Sequence, residues 1–501
     1  MTVAQILLLG LYVPLSVLLA AYGLHRAHML YCYLRTRRAN PAPEGELAGL
    51  PSVLVQIPVF NERAVVRRVL DAVAGLDYPR DRLRVQVLDD SDDETVEIAA
   101  EACAALAATG LAIEHVRRGN REGFKAGALA AGLLRDDSDL VAIFDADFVP
   151  GPGFLREIVP YFGKPRVGMV QARWEHLNLD RNLLTELQGF FLDGHFIIEH
   201  TYRHRTGRFF NFNGTAGVWR RSCIDDAGGW SACSITEDTE ISFRAQIKGW
   251  EFVYLRDLTV PAEIPADVDA FKSQQHRWAK GYTEVLREHL PLIWRARIPL
   301  KAKLEATLML SSHFAFLMLG VLTILHLPIV LVRGTFESTA FLTFLDLLAL
   351  NLVVLAIFGF YLTAAWDARR FTPRRLLKIP LAIGLGMSLM VNSCRAVLEA
   401  LFGVKTGFVR TPKEGDRPSL SYKAAAALGQ AAVEIAFGLY LLLSCVLLFA
   451  RGHGLGAPLT IAVAWGFFYL GGGTLRNEWL RRRAARRKMV PVAPAAAPAV
   501  E

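Results

Sequence analysis

The chain has 501 residues, of which 52% are hydrophobic and 21% are charged, and its formal net charge is +8. Apolar stretches of about 20 residues, long enough to cross a bilayer, lie near the N-terminus and throughout roughly the last 200 residues. The segment from about 50 to 300 has a mixed composition. These features exclude a single soluble domain and indicate an integral membrane protein with a globular domain between its membrane segments.

The excess of positive charge is concentrated near the C-terminus. Residues 476–488 contain six Arg, one Lys and one Glu directly after an apolar segment. A nucleic-acid-binding protein needs a basic face on a folded domain, which is not visible here, so we predict no nucleic-acid partner. A basic cluster beside a membrane segment is typical of the cytoplasmic side. The six cysteines show no CxxC pair and no zinc-like spacing, which favours buried residues in a reducing compartment.

The N-terminal segment is an apolar stretch over 4–24 with no Lys or Arg before it. Positive residues follow it at Arg26, Arg35 and Arg37. This order predicts an uncleaved transmembrane anchor within 1–39, with its N-terminus outside and the next domain in the cytoplasm. A linker rich in Pro, Ala and Gly (40–50) leads into that domain.

The soluble domain, predicted over 51–282, alternates short β-rich runs with helical stretches. Strands are predicted over 52–60, 84–90 and 140–147, and helices over 62–74 and 93–108. Such alternation predicts a doubly wound α/β sheet. Ligands bind beyond the carboxyl ends of the strands in such sheets. Four acidic residues would lie there: Asp89, Asp90, Asp145 and Asp147.

The C-terminal part is predicted to begin with an amphipathic interfacial helix over 283–303, followed by a transmembrane bundle over 304–475 and a basic cytoplasmic tail over 476–501 with a disordered end. The apolar stretches of the bundle are 304–333, 338–366, 376–402, 424–451 and 457–475. If all five crossed, the Arg-rich tail would face outside, against the positive-inside rule. We therefore expect 376–402, which carries Asn392, Arg395 and Glu399, to lie at the interface, leaving five spans including the anchor.

Five short motifs follow one another in the soluble domain. They are VLDDS (87–91), the loop GNREGFKAGAL (119–129), FDADF (144–148), ITED (235–238) and QQHRW (274–278). Each motif alone has an ordinary interpretation: a solvated DxD, an acid at a helix start, where it complements the dipole, or an Arg-Trp interfacial anchor. Their fixed order before a membrane bundle favours catalysis.

The motifs contain the groups needed to transfer a sugar from a nucleotide sugar. Asp147 is the first choice as ligand of a divalent cation, with Asp145 near the metal or the nucleotide. Lys125 and Arg277 would offset charge on the leaving phosphate. Asp238 would accept the proton of the attacking hydroxyl. Trp278, four residues after Gln274 and one after Arg277 in the same motif, offers a flat face for a sugar ring.

The ordered set resembles the family 2 glycosyltransferases that make β-linked polysaccharides, in which the pattern D, DxD, TED, QxxRW corresponds here to Asp90, Asp145/Asp147, Asp238 and Gln274/Arg277/Trp278. Longer phrases are similar to the cellulose-synthase-like A group, the glucomannan 4-β-mannosyltransferases. Among them are VLVQIPVFNER (53–63), VQVLDDS (85–91), FNGTAGVWR (212–220), KGWEFVYL (248–255) and QQHRWAKG (274–281).

This resemblance implies a GT-A-type domain inserted between transmembrane helices of a multi-pass cell-membrane protein, with the domain on the cytoplasmic side. It implies Mg²⁺ or Mn²⁺ and an inverting transfer from GDP-mannose or UDP-glucose to a polysaccharide acceptor that the bundle exports. Asn213, Gly214 and Trp278 would lie near the acceptor. The loop over 404–420 is similar to the gating loop of bacterial cellulose synthases, with Phe408, Thr411 and Lys413 in register.

Two other functions share part of this pattern. A lipid glycosyltransferase of the ceramide glucosyltransferase type has the same D, DxD, ED and RW set, but it needs an acceptor entry from the bilayer. A catalytically inactive scaffold or passive export channel would not need the intact motifs. The sequence does not distinguish GDP-mannose from UDP-glucose, and it leaves linkage, product length and oligomeric state open.

Overall fold

The computed structural model describes residues 2–332, 339–404, 424–450 and 457–488. The three residues of the gating-like loop, Phe408, Thr411 and Lys413, lie outside these ranges, as does the predicted disordered end of the tail. The N-terminal anchor is one long helix, α1 (Val3–Thr36).

The soluble domain is built on one seven-stranded sheet. Its strands are β1 Val53–Val59, β2 Leu83–Asp89, β3 Ala112–Arg117, β4 Leu140–Ile143, β5 Val167–His176, β6 Gly217–Arg220 and β7 Glu251–Ala262. They lie in the order β3-β2-β1-β4-β6-β5-β7, and only β6 is antiparallel to its neighbours. The near-continuous burial of β1 is typical of a parallel strand covered on both faces.

Helices cover both faces of this sheet. The helices of the domain are α2 Val66–Ala74, α3 Thr95–Ala107, α4 Phe124–Leu133, α5 Phe154–Ile158, α6 Leu183–Asp193, α7 Thr201–Arg205, α8 Arg221–Asp226, α9 Glu237–Ile247 and α10 Val268–Arg295. Helices α2, α3 and α5 pack on one face, and α4, α8 and α9 pack on the other. The predicted doubly wound mixed sheet is confirmed.

The C-terminal part consists of helices of different lengths, most of them apolar. They are α11 Leu300–Leu310, α12 Phe314–Val332, α13 Thr339–Asp367, α14 Pro373–Leu376, α15 Ile379–Ser388, α16 Met390–Leu401, α17 Ala424–Ala450 and α18 Ala457–Lys488. Five stretches within the described ranges are long and apolar enough to cross a membrane: Gln5–Thr36, Phe314–Val332, Pro373–Leu401, Ala427–Ala450 and Ala457–Arg483.

Two boundaries differ from the predicted ones. The separate interfacial helix predicted over 283–303 does not exist, because α10 runs unbroken past 282, and α11 begins only at Leu300. One buried face continues through α10, from Phe271 to Val285 and Ile293, so the QxxRW motif and the amphipathic pattern belong to the same helix. The apolar stretch 304–333 is divided by a turn at 311–313.

The soluble domain packs directly on the membrane helices. One core cluster joins Leu187 of α6 and Phe271 of α10 to Leu385 of α15 and Leu470 of α18. Helices α15 and α18 approach closely, because a Cβ atom on Gly384 would lie 2.1 Å from a backbone oxygen of α18. This packing holds α15 and α18 beside the soluble domain, near the carboxyl edge of the sheet.

Candidate active site

A continuous cavity of about 1090 Å³ connects the carboxyl edge of the sheet with the membrane helices. Its domain end is lined by acidic and basic side chains, among them Glu62, Asp90, Lys125, Asp145 and Asp147. Its membrane end is lined by Tyr22, Ser312, His313, Phe316, Tyr361 and Met387. A molecule bound at the sheet edge therefore has an open path toward the bundle.

Lys125 lies at the centre of the polar end. Its Nζ donates to Asp145 Oδ1 over 2.6 Å and to the Gly214 carbonyl over 2.9 Å, and it lies 3.9 Å from Glu237 Oε1. Burial alone would lower the pKa of Lys125, but the charges of Asp145 and Glu237 outweigh burial and raise that pKa. Lys125 is therefore a fixed positive charge in the cavity.

Two adjacent carboxylates begin helix α9. Burial, followed by the charge of Glu237, raises the pKa of Asp238 to about 7. The backbone amide of Thr239 donates to Asp238 Oδ1 over 2.6 Å. Burial also raises the pKa of Glu237, against the charge of Lys125. A carboxylate with a pKa near neutrality can accept a proton and release it again.

The backbone at Gly214 leaves room for Asp238. Gly214 has a φ of +80°, and a Cβ atom there would lie 2.9 Å from Asp238 Oδ2 and 3.3 Å from Lys125 Nζ. The next residue, Thr215, accepts the backbone N–H of Asp145 on its Oγ1 over 2.8 Å. The loop that carries Asn213 and Gly214 is thus tied to the DxD segment on one side and to Asp238 on the other.

The QxxRW side chains enter the same cavity from α10. Gln274, Arg277 and Trp278 all line it. Three carboxylates act electrostatically on Arg277, in the order Glu237, Asp145 and Asp238, although burial lowers its pKa from the usual arginine range. Trp278 is half-buried and packs on the cluster of residues under α4. The structure therefore brings together the DxD, TED and QxxRW residues as predicted.

One predicted site residue is not in the cavity. Asp89 is buried, accepts from His115 Nε2 over 2.8 Å and from the backbone N–H of Ser91 over 2.9 Å, and does not line the cavity. We therefore correct its predicted role in nucleotide-sugar binding: successive residues at a strand end point to opposite faces. Asp90, which follows it, lines the cavity and is paired through both carboxylate oxygens with Arg118.

The DxD carboxylates fit a divalent cation that arrives with a phosphate ligand. Within the described ranges, no group of three His, Cys, Asp or Glu side chains converges to hold a metal alone. Mg²⁺ is commonly held by one or two carboxylates together with substrate phosphates, and Asp145 and Asp147 both line the cavity. Asp145 Oδ1 also accepts from Lys125 Nζ, and the role of Asp147 as the first metal ligand stays a prediction.

Several cavity residues were not predicted from the sequence. They are Arg26, Arg121, Trp174, His195, Glu199, Glu237 and His313. For Glu237 the signal was present, since it precedes Asp238 in the TED motif. Arg121 lies in the loop 119–129, which the sequence singles out, and Trp174 lies on β5. The other four residues come from segments far apart in the chain, and only the tertiary fold brings them to the cavity.

The sequence of this region matches that of known enzymes. Residues 51–281 match the family model described as "Glycosyltransferase like family 2". These residues form a family 2 glycosyltransferase domain. The domain contains every strand of the sheet and all of the DxD, TED and QxxRW residues.

Two curated relatives are plant proteins. The glycosyltransferase chain is 46% identical over 246 residues to glucomannan 4-beta-mannosyltransferase 2 of Arabidopsis thaliana, covering 48% of this chain and 46% of that protein. It is 44% identical over 270 residues to glucomannan 4-beta-mannosyltransferase 1 of Oryza sativa subsp. japonica, covering 52% of each. The chain therefore aligns with about half the length of the curated relatives it matches.

A solved structure supports the fold. The mannosyltransferase PcManGT from Pyrobaculum calidifontis, determined in complex with GDP-Man and Mn²⁺, superposes with a TM-score of 0.50 at 19% sequence identity. The similarity covers 78% of this chain and 99% of that one. At this identity the comparison establishes the GT-A-like fold of the glycosyltransferase domain.

Proposed function

We propose that the protein is a membrane-embedded inverting glycosyltransferase. It transfers mannose from GDP-mannose to the nonreducing end of a growing β-linked polysaccharide. The observation that carries this proposal is Asp238, a carboxylate with a pKa of about 7 beside Lys125, in the cavity that runs from the sheet edge to the membrane helices. The names of the plant relatives and the GDP-Man ligand of PcManGT favour mannose over glucose.

The proposed reaction uses the side chains of the cavity in one step. The acceptor hydroxyl attacks the anomeric carbon while Asp238 takes its proton, and the electron pair of the breaking C–O bond leaves with the nucleoside diphosphate. Lys125 and Arg277 face the charge that develops on this leaving group. Asp147 and Asp145 would hold a Mg²⁺ or Mn²⁺ ion together with the diphosphate, and this ion would supply further positive charge to the leaving group. The rate of transfer should rise with pH through about 7, because Asp238 must be unprotonated.

The lining of the cavity supports a polysaccharide acceptor. Sugar rings present apolar faces and a polar edge, so a glycan needs both aromatic and hydrogen-bonding side chains along its path. Trp174, Phe316 and Tyr361 line the cavity, and so do Tyr22 and His313. The path continues between α1, α12 and α13, which supports passage of the product into the bundle.

Ion pairs at the domain support a cytoplasmic glycosyltransferase domain. Basic residues near the domain ends of α1, α13 and α18 form ion pairs there. Arg37 Nη1 lies 2.9 Å from Asp367 Oδ1 at the end of α13, and Arg370 Nη1 lies 2.7 Å from Asp193 Oδ1 of α6. Arg481 at the end of α18 likewise pairs with α10. Basic flanks gathered on one side mark that side as cytoplasmic.

The segment 376–402 also has both ends beside the domain. Lys378 pairs with Glu186 of α6, and the carbonyl of Val404 accepts from Lys280 of α10. A single crossing would place these ends on opposite sides of the membrane. This arrangement supports the interfacial position that we predicted for the segment, and with it five crossings by α1, α12, α13, α17 and α18.

The proposal is tested first by product analysis. The purified full chain in nanodiscs is supplied with Mg²⁺ or Mn²⁺ and with radiolabelled GDP-mannose or UDP-glucose, and products are digested with β-mannanase and cellulase. We expect a long product that only β-mannanase degrades. A cellulase-sensitive product from UDP-glucose would show that the donor is UDP-glucose and not GDP-mannose. A single sugar on extracted lipid would instead establish the lipid glycosyltransferase alternative.

The role of Asp238 is tested by Asp238→Asn. We expect transfer to fall by about 10² to 10⁴, since the side chain can no longer accept a proton, while donor binding is retained. Asp225→Asn is the matched control, because this carboxylate is 58% exposed on α8 and does not line the cavity. Unchanged turnover in Asp238→Asn would remove Asp238 as the base.

A further inference from the structure

The long helix between β5 and β6 has an unusual register beside the cavity. Between α6 and α7, residues Gly194–His200 are π-helical. In an α-helix, two residues five positions apart point roughly 140° away from each other. The π-helical turn instead brings the rings of His195 and His200 together, with their centroids 4.4 Å apart. Isolated π-helical turns occur frequently at functional sites.

These two histidines contact the same side chain. His200 Nε2 lies 2.6 Å from Asn213 Oδ1, and His195 Nε2 lies 3.2 Å from Asn213 Nδ2. The shorter distance suits an N–H···O hydrogen bond, so the Nε2–H of His200 donates to the amide oxygen. Burial keeps the pKa of His200 well below its usual range, so the ring is neutral. The amide nitrogen of Asn213 then donates to the unprotonated Nε2 of His195.

Charged residues fix the tautomer of His195. Its Nδ1 lies 3.1 Å from Glu199 Oε2, which requires a proton on Nδ1 and leaves Nε2 free to accept. Glu199 is also paired with Arg203 of α7, over 3.2 Å, and with Arg26 of the anchor helix α1. The anchor helix therefore contributes to the orientation of the amide of Asn213 through Glu199 and His195.

Asn213 occupies the position where an acceptor would bind. It lines the cavity and directly precedes Gly214, whose Cα faces the carboxylate of Asp238. An amide beside the base can hydrogen-bond the sugar whose hydroxyl attacks. With its oxygen bound to His200 and one N–H to His195, the second N–H of Asn213 remains for this contact.

We propose that His195 and His200 are positioning residues that orient the amide of Asn213 toward the acceptor sugar, and that the π-helical register of 194–200 places them there. This inference rests on the proposed transferase function. Neither histidine is assigned contact with the reacting atoms. Their effect should therefore appear in the use of the acceptor and not in the binding of the donor.

The test separates acceptor use from donor use in the full chain in nanodiscs. Transfer from GDP-mannose to a soluble β-1,4-linked mannooligosaccharide gives the acceptor KM, and release of GDP without acceptor gives the donor KM and hydrolysis rate. His200→Leu and His195→Leu should raise the acceptor KM about tenfold, the effect of one lost hydrogen bond, with donor values unchanged. His200→Gln and His195→Gln should restore most of the affinity, because a glutamine amide reaches the position of Nε2.

A double-mutant cycle distinguishes positioning from general packing. Asn213→Leu should raise the acceptor KM as His200→Leu does, and the double variant should show no further rise, because the histidine acts through Asn213. His204→Leu is the matched control. His204 lies four residues after His200 on the same helix, packs against Phe210 and does not line the cavity. Each variant is first checked for a monodisperse elution profile.

The outcomes are separable from failure of the proposed function. A parent protein that releases no GDP and transfers no mannose overturns the function itself. If the parent transfers mannose, an unchanged acceptor KM in both Leu variants overturns the positioning role. Additive effects in the cycle, or an equal rise in His204→Leu, overturn it as well. If the His→Leu variants do not fold, Asn213→Leu still decides, because an unchanged acceptor KM in this variant overturns the contact that the histidines are proposed to orient.

Discussion

The cavity and the contact between α10 and the membrane helices both bury charged side chains, but they neutralise them differently. At the contact, Lys272 Nζ lies 2.9 Å from Glu434 Oε2 and donates to Thr474 Oγ1 over 3.0 Å. Thr474 donates in turn to Asp269 over 2.7 Å, and Arg481 pairs with the same carboxylate over 3.0 Å. Each of these two cations is therefore paired directly with a carboxylate.

In the cavity, the carboxylates outnumber the cations beside them. Lys125 and Arg277 stand among three carboxylates, Asp145, Glu237 and Asp238. The excess negative charge and burial together raise the pKa of both carboxylates at the start of α9. Binding a diphosphate there would add still more negative charge, which is why a divalent cation suits this site.

Buried charges therefore have two different roles in this protein. A balanced and fully hydrogen-bonded network holds α10 in one position against α17 and α18, and α10 carries Gln274, Arg277 and Trp278 into the cavity. An unbalanced cluster leaves a carboxylate that can exchange a proton near neutral pH. Substitutions at the contact between α10 and the membrane helices should therefore affect folding. Substitutions in the cavity should affect catalysis.

The largest effect is expected when the balanced network is broken. Glu434→Ala leaves the ammonium of Lys272 buried without its partner, which should cost about 3 to 5 kcal/mol of stability. The measurement is the thermal unfolding midpoint in detergent, followed by size-exclusion elution. The double variant Lys272→Met/Glu434→Met is the control, because it removes both charges and should lie much closer to the parent. Equal midpoints in the parent and Glu434→Ala would contradict the structural role of the pair.

A side chain at position 214 should lower the rate of transfer more than it lowers the stability of the protein. Gly214→Ala places a Cβ atom against Asp238 Oδ2, and a displacement of the base by roughly 1 Å should lower kcat by about 10². Gly110→Ala is the matched control: Gly110 has a similar φ of +85°, but no atom lies within 4 Å of the added Cβ. Both variants should lose about 1 kcal/mol of stability from the left-handed backbone. Similar activities of the two variants would show that crowding of Asp238 is unimportant.

Removing the excess charge should stabilise the protein. The pKa of Asp238 is about 7 in the folded state against an ordinary value of 3.8, so the folded chain binds more protons between these pH values. Stability therefore falls as pH rises from about 4 to 7, and Asp238→Asn removes this loss. At pH 8 the variant should exceed the parent by up to about 4 kcal/mol, and at pH 5 by less. Thermal midpoints at the two pH values provide the measurement, and a parent that is equally stable at both would contradict the raised pKa.

The sequence predicted those features that depend on local pattern. Alternation of strands and helices predicted the sheet, and the rule for carboxyl ends of parallel strands placed Asp90 and Asp145 in the cavity. The ordered motifs indicated the family. The pairing of Lys272 with Glu434 joins residues far apart in the chain, and no periodic pattern reports such a contact. The π-helical turn changes the register within one helix, and the apolar pattern of the sequence does not show where this happens. The predicted boundary at 282 is wrong because the QxxRW motif and the amphipathic pattern after it belong to one helix, α10.

The pair Asp89 and Asp90 gives the smallest expected effect and the most direct comparison of sequence with structure. Along β2, Val85 and Val87 point into the core under α2 and α3, and Asp89, two residues further, belongs to the same face. Asp89→Asn should leave the donor KM unchanged and cost about 1 kcal/mol of stability, because the charge-assisted hydrogen bond from His115 is weakened. Asp90→Asn, which alters a carboxylate that lines the cavity, should raise the donor KM. Because the two substitutions are chemically identical and one residue apart, a difference between their donor KM values reports the different surroundings of the two carboxylates. Donor KM values that match the parent in both variants would show that neither carboxylate contacts the nucleotide.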